Sequence, residues 1–255
     1  MIQSPSEFAK SIISKSFDHV TVVGGGRVGT FLALLTQASV VTRLQGDLQP
    51  TGPIIVCVRN DELQGVILRT PIERRKDLIF IQNGMIDSLL ELQGLEGATR
   101  GILYFAIESK GGDVVDGGGS AFCGDYAPWL VSVLQEAKID ANVVTREVFQ
   151  KEMGKKLIWN SIFGLLGQAY EINVGQTLDQ HHFEFQALAA ELQRVFESAT
   201  KLSLGSDLEQ SLTDYAIKVS HYHCRASEWE WRNGWFLRSM PTPIHSQLSL
   251  KIGKC

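Results

Sequence analysis

Residues 20–35, VTVVGGGRVGTFLALL, join a β-branched run to a glycine-rich turn and then to an amphipathic stretch. Val20, Val22 and Val23 favour a strand, while Val28, Leu32 and Leu35 recur at helical spacing and give the following helix an apolar face. Between them Gly24, Gly26 and Gly29 stand in the order G-x-G-x-x-G. A first glycine permits a tight strand-to-helix turn, a second lets backbone approach a pyrophosphate, and a third lets helix and strand pack closely. Helix N-terminal amides then face the phosphates, favoured by the helix dipole. A glycine turn with no ligand has the same short pattern, so the strand and helix around it carry the weight.

Around this stretch the 255-residue chain is long enough for one large domain or two modest ones. Its 44% hydrophobic and 20% charged content are those of an ordinary globular protein. A net charge of -4 offers no general attraction to nucleic acid or to an anionic membrane, so an anionic ligand needs a local site. Cys57, Cys123, Cys224 and Cys255 are scattered, which suits a reducing compartment and predicts a cytoplasmic protein. The pairs His181-His182 and His221-x-His223 lack a companion ligand set, and no metal is expected. No apolar run approaches the roughly 18 residues of a membrane span. Phe8, Ile12 and Ile13 predict a short docking helix ahead of the first strand.

Strands are predicted at 39–42, 53–58, 77–81 and 101–107, with a crossover helix at 61–69 and a β-hairpin formed by 114–115 and 120–123. A helix at 126–138 and a strand near 142–145 follow. This alternation predicts an α/β fold, a Rossmann-type doubly wound sheet with an antiparallel addition, over residues 1–146. From 147 to 255 the periodicity is helical throughout, with helices expected near 147–170, 183–202, 207–224 and 225–239 and a short one at the C-terminus. The second domain is therefore all-α.

Several residues in these elements are candidates for chemistry. At the end of the second strand Thr42 and Arg43 stand where an acid would read a ribose hydroxyl; an arginine there suits a 2′-phosphate and favours NADP over NAD. Arg59 ends the third strand, and Asn83 lies in the Gln82-Asn83-Gly84 turn after the fourth, both at the edge where open α/β sheets bind ligands. Lys156 and Asn160 are four apart, hence on one helix face, and Gly164 continues that face and predicts a gap there. On spacing alone, such a pair on a helix is usually just solvated. Arg225, Glu228 and Arg232 fall at the spacing of a surface ion-pair ladder.

Taken together, GGGRVG at 24–29, QNGM at 82–85, KLIWN at 156–160, SEWEWRNG at 227–234 and PTP at 241–243 resemble, in order and separation, the motifs of the ketopantoate reductase family. The resemblance covers nearly the whole chain. It implies an NADP(H)-dependent oxidoreductase that reduces 2-dehydropantoate to (R)-pantoate in pantothenate biosynthesis. In that light Lys156 is the proton donor, and Asn83, Asn160 and Glu228 bind substrate. Gly24, Gly26, Arg27, Val28, Gly29, Arg43, Arg59 and Asn83 hold the cofactor. The implied partner is a small 2-oxo acid, with no nucleic acid or membrane, and a homodimer is allowed. The chain departs from the family pattern at Gly154, where a tryptophan is common, at Gly164, usually asparagine, and at Ala216, where a serine is expected. These losses leave open a reductase of a different 2-oxo acid, or an NADP-binding sensor without turnover.

Overall fold

The computed structural model describes residues 17–42, 46–107, 109–112 and 114–254. Arg43 and the segment bearing Phe8, Ile12 and Ile13 lie outside the described residues. The chain divides into two compact units, Met1–Gln82 with Asp87–Phe149, and Asn83–Ile86 with Gln150–Cys255.

Strands of the first unit are β1 (Thr21–Val23), β2 (Ser39–Val41), β3 (Ile54–Val56), β4 (Leu78–Phe80), β5 (Thr99–Ile102), β6 (Phe105–Ile107), β7 (Val114–Asp116), β8 (Ser120–Cys123) and β9 (Ala141–Val143). Seven of them form one sheet in the order β2-β1-β3-β4-β5-β8-β9. The five strands from β2 to β5 are parallel neighbours, β8 runs antiparallel to β5, and β9 is parallel to β8. Every residue of β1, β3 and β4 is buried, as expected of parallel strands covered on both faces. Helices α1 (Arg27–Thr36), α2 (Leu63–Arg69), α3 (Asp87–Leu92) and α4 (Ala127–Glu136) complete the unit. Leu32 and Ala33 of α1 and Leu130 and Leu134 of α4 share one core with Ile55, Ile79 and Phe122. Burying each large apolar side chain contributes about 1.5–3 kcal/mol.

The expected strand at 101–107 is two strands in different sheets. Tyr104 sits between them with its amide donated to Ser120 Oγ at 2.9 Å and its carbonyl taken by Gly117 N at 2.6 Å, so the chain changes sheet there. Nor do 114–115 and 120–123 form a hairpin. β7 pairs with β6, and β8 pairs with β5. Phe122 makes that second pairing specific, because its ring lies across Gly101, where an added Cβ would stand 2.2 Å from it.

Helices of the second unit are α5 (Arg146–Tyr170, of which the part from Gln150 on belongs to it), α6 (Val174–Gln180), α7 (His182–Thr200), α8 (Leu208–Lys218), α9 (Asn233–Ser239) and α10 (Pro243–Lys251). The middle of α5 is buried almost all round, from Lys156 to Gly167, with Asn160 half-buried. Phe163 packs on Trp159 and on Phe185 of α7, at ring separations of 4.7 and 5.5 Å. α8 stops at Lys218 rather than near 224 because the amides of Val174 and Gly175 take the carbonyls of Tyr222 and Ser220, at 3.0 and 2.8 Å. Helix α6 itself was not evident from periodicity; it is started by a reciprocal cap between Asn173 and Gln176.

The glycine loop separates two kinds of demand for glycine. Gly24 has φ +112°, and a Cβ there would stand 2.6 Å from Cys57 O; one on Gly29 would stand 1.9 Å from Gly24 O. A Cβ on Gly26 would meet nothing within 4 Å. Gly29→Ala is accordingly expected to destabilise the fold by about 1–3 kcal/mol, and Gly26→Ala by less than about 0.5 kcal/mol. Urea denaturation of the two variants measures this, and equal midpoints would contradict the close approach at Gly29.

Candidate active site

At the C-terminal ends of β1, β2 and β3 the sheet order reverses, since α1 leads from β1 to β2 on one side and β3 lies on the other. Crevices at such a reversal are where open α/β sheets receive ligands. A groove of about 870 Å³ opens there, with Gly24, Gly26, Thr42, Cys57, Arg59 and Arg69 among its walls. Its size is that of a small-molecule or cofactor site. The first turn of α1 carries no acid, and Gly26 provides no side-chain cap, so its amides and dipole are available to an anion. Gly26 leaves space above them that no described residue fills. These features fit a dinucleotide pyrophosphate.

Other loop residues have structural partners. Val28 is half-buried against the core of the first unit. The Arg27 guanidinium donates to Ile107 O at 2.9 Å and so ties the loop to β6. Arg59 is 63% exposed and pairs with Asp61 at 3.3 Å. Gln82, absent from the candidates above, donates through Nε2 to Val56 O at 2.7 Å and Val58 O at 3.2 Å, clamping the ends of β3 and β4 together.

In the second unit Lys156 is 4% exposed, not a solvated side chain. Its ammonium position lies 3.8 Å from the Tyr215 ring centre and 4.9 Å from that of Trp159. Burial drives the amine well below the usual lysine range, Cys224 opposes that shift and Arg232 adds to it. One turn on, Asn160 Nδ2 is buried without a hydrogen-bond partner among the described residues. Cys224, in turn, has its thiol pushed up to about 11 by burial, with Lys156 and Arg232 pulling the other way.

Residues 225–232 are not helical, apart from a 3-10 turn at Trp229–Trp231. Instead residues 224–226 form a strap across α5. A Cβ on Gly167 would stand 2.7 Å from Cys224 O, and one on Gly164 3.0 Å from Arg225 O. The Ala226 amide donates to Gln168 Oε1 at 3.2 Å. The expected gap beside Gly164 is therefore filled by the chain's own backbone. Gly154 is filled likewise, since a Cβ there would meet the Phe196 ring at 2.4 Å, and Ala216 is fully buried.

After the strap, Glu228 adopts left-handed backbone angles, φ 50° and ψ 47°. Its Oε2 accepts from Arg232 Nη2 at 2.5 Å, and Arg232 Nη1 donates to Ser227 Oγ at 3.0 Å. Of the expected ladder, Glu228 and Arg232 form a tight pair, and Arg225 is exposed. The turn containing Asn83 belongs to this unit: Gly84 has φ +111°, and Met85 N donates to Trp231 O at 2.8 Å. Arg232 and Asn233 then lead into α9, where buried Asn233 Oδ1 meets His245 Nε2 at 2.8 Å. Glu191 accepts the amides of Ile244 and His245 at 3.1 and 3.0 Å and so caps α10.

The predicted residues therefore fall in two groups. Gly24, Gly26 and Arg59 line the groove of the first unit. Lys156 and Asn160 share a face of α5, Arg232 acts electrostatically on Lys156 and pairs with Glu228, and a backbone hydrogen bond from Met85 to Trp231 anchors the Asn83 turn. Tyr215, Cys224 and Arg232 escaped the sequence reading of this site. Arg232 had a signal, its spacing from Glu228, but that spacing equally describes a solvent-facing helix.

No protein family model and no curated protein matches the chain. Solved structures do. A 2-dehydropantoate 2-reductase from Methylococcus capsulatus aligns with TM-score 0.70 at 16% identity, covering 92% of this chain and 96% of that one. A probable 2-dehydropantoate 2-reductase from Bacillus subtilis aligns at 0.64 and 18%, over 92% and 98%. D-mandelate dehydrogenase, in a ternary structure with NADH and anilino(oxo)acetate, aligns at 0.70 and 15%, over 92% and 97%. Such identities establish a shared fold. Among the described residues, no helix is long and apolar enough to cross a membrane.

His245 gives the second unit a pH-dependent term. Burial lowers its imidazole to about 4, with Glu191 pulling it upward, whereas the unfolded chain titrates near the ordinary value of 6.5. Between those values the unfolded state binds the extra proton, so this contribution is complete above about pH 6.5 and is lost as pH falls towards 4. The loss amounts to about 3 kcal/mol. Urea melts at pH 7, 5 and 4 are expected to show a steeper acid decline for the wild type than for His245→Gln, and parallel declines would remove His245 as the cause.

Proposed function

We propose that this chain is an NAD(P)-dependent 2-oxo acid reductase of the ketopantoate reductase family, using NADPH to convert 2-dehydropantoate to (R)-pantoate. The observation that carries the proposal is buried Lys156 on one face of α5 with Asn160 one turn on, whose Nδ2 is buried without a hydrogen-bond partner among the described residues. Such a site is complementary to an oxygen that gains negative charge. It belongs to a fold shared with two 2-dehydropantoate 2-reductases and with a dehydrogenase whose structure holds NADH.

Gly24, Gly26 and Gly29, with Arg27 and Val28, would hold the cofactor pyrophosphate against α1, and Arg43 and Arg59 would favour the phosphorylated ribose of NADP. When bound, the nicotinamide supplies a hydride to the substrate carbonyl carbon. Lys156 then does the protein's part of the chemistry, stabilising charge on the carbonyl oxygen and delivering a proton to it. Desolvation suits the amine to this task, because an amine shifted down from its ordinary range gives up its proton more readily at neutral pH. Asn160 and Asn83 orient the substrate, and Glu228 borders it. The space beside Gly164 is taken by the backbone of Arg225, which supports a compact substrate rather than a bulkier one.

NADPH oxidation is expected with 2-dehydropantoate, and Lys156→Ala should lower kcat by about 10²- to 10⁴-fold. Unchanged turnover in that variant would sink the role of Lys156. In the same assay NADPH should outperform NADH; equal kcat/KM for the two would remove the argument from Arg43 and Arg59.

A further inference from the structure

We propose that Arg69 selects the phosphorylated adenosine ribose, so that the choice of NADPH over NADH is made from the end of α2 as well as from the end of β2. The inference rests on the reductase reading above and names a further specificity-determining residue for its cofactor.

Arg69 shares the walls of the groove at the glycine loop with the charged residues Asp47, Arg59 and Glu62. Arg59 is engaged by Asp61. Arg69 is exposed and has neither a hydrogen bond nor an ion pair to any described residue. The plainest account of a cation at this place is the helix itself, because Arg69 is the last residue of α2 and a positive charge there complements the helix dipole. Its direction speaks against that account. Arg69 Nη2 lies 4.0 Å from where a Cβ on Gly65 would stand, so the side chain folds back over the preceding turn instead of reaching for the terminal carbonyls. The carbonyl that follows the helix, Thr70 O, accepts from Arg75 Nε at 3.2 Å instead. Val66, Thr70 and Pro71 continue the groove wall on either side of Arg69 in the chain, so the free guanidinium is rooted in the wall itself.

The ligand follows from what the groove already provides. With a pyrophosphate held at the first turn of α1, the remaining anion of NADPH is the phosphate on its adenosine ribose, and NADH has a hydroxyl in that place. A planar guanidinium with no partner offers paired N–H donors to such a phosphate and nothing of comparable strength to a hydroxyl. Asp47 acts in the opposite sense, since a carboxylate accepts from a ribose hydroxyl and repels a phosphate. No ion pair joins Asp47 to Arg69, so each acts on the ligand separately. Cofactor preference is then a difference between the two, and the charge-assisted contact from Arg69 is the larger.

Isothermal titration calorimetry of the full chain with adenosine 2′,5′-bisphosphate and with 5′-AMP tests this, because the two probes differ only in the ribose phosphate. The wild type should bind the bisphosphate more tightly than 5′-AMP by about tenfold or more. Arg69→Met should weaken the bisphosphate by about ten- to a hundredfold and leave 5′-AMP within about twofold, while Arg69→Lys should keep part of the preference. Retained 5′-AMP binding is also the check that the variant is folded. Equal binding of the two probes by the wild type, bisphosphate binding at wild-type strength in Arg69→Met, or an equal loss of both probes in that variant overturns the assignment. Binding of neither probe by the wild type overturns it together with the dinucleotide groove. Turnover separates the two levels. An Arg69→Met variant that reduces 2-dehydropantoate with an unchanged kcat/KM for NADPH refutes Arg69 and leaves the reductase standing. Absence of turnover with every 2-oxo acid, alongside a bisphosphate preference that Arg69→Met removes, refutes the reductase and upholds Arg69.

Discussion

Gly29 lying on the carbonyl of Gly24 is the constraint from which the first unit is arranged. With no Cβ between them, α1 begins almost in contact with the end of β1, and Leu32 and Ala33 reach the same core as Ile55 and Ile79. The approach also presses the loop against Cys57 at the end of β3, so three strand ends and one helix start meet within a few residues. Gly24 and Gly29 thus answer to packing. A Cβ on Gly26 would meet nothing within 4 Å among the described residues, and the first turn of α1 that it opens carries no acid.

In the helical unit the organising element is the buried middle of α5. A helix enclosed on all sides must place its polar residues deliberately, since each loses water without a guaranteed replacement. Lys156 is lodged against two aromatic rings and Asn160 Nδ2 has no hydrogen-bond partner among the described residues, whereas Leu157, Ile158, Ile162 and Phe163 fill the remaining faces. Small residues let the neighbours come close: Phe196 over Gly154, and the strap over Gly164 and Gly167.

Much of this was legible in sequence where one local rule dominated. The β-branched runs, the glycine loop and the long period of α5 each specify an element from its own residues. Legibility failed where a distant partner decided the outcome. The β7 and β8 strands look like a hairpin because Gly117, Gly118 and Gly119 separate them, yet Phe122 over Gly101 draws β8 to β5. Residues 225–232 have helical spacing, yet two glycines on α5 offer the backbone a surface to lie on, and a helix there would lose that contact. The same limit applied to the candidate site. Lys156 and Asn160 were legible as a pair from their spacing, but their burial and the neighbourhood of Arg232, Tyr215 and Cys224 depend on contacts between elements remote in sequence.

The strap has a consequence for how this protein can change. A side chain at 164 and the path of residues 224–226 occupy the same space, so neither can be altered as a single step: a larger residue at 164 first requires the loop to lift, and a lifted loop first exposes the flank of α5. Sequence drift or design that seeks a larger residue at 164 must move both together. Until it does, Gly164 and the strap are inherited as one character, each holding the other in place.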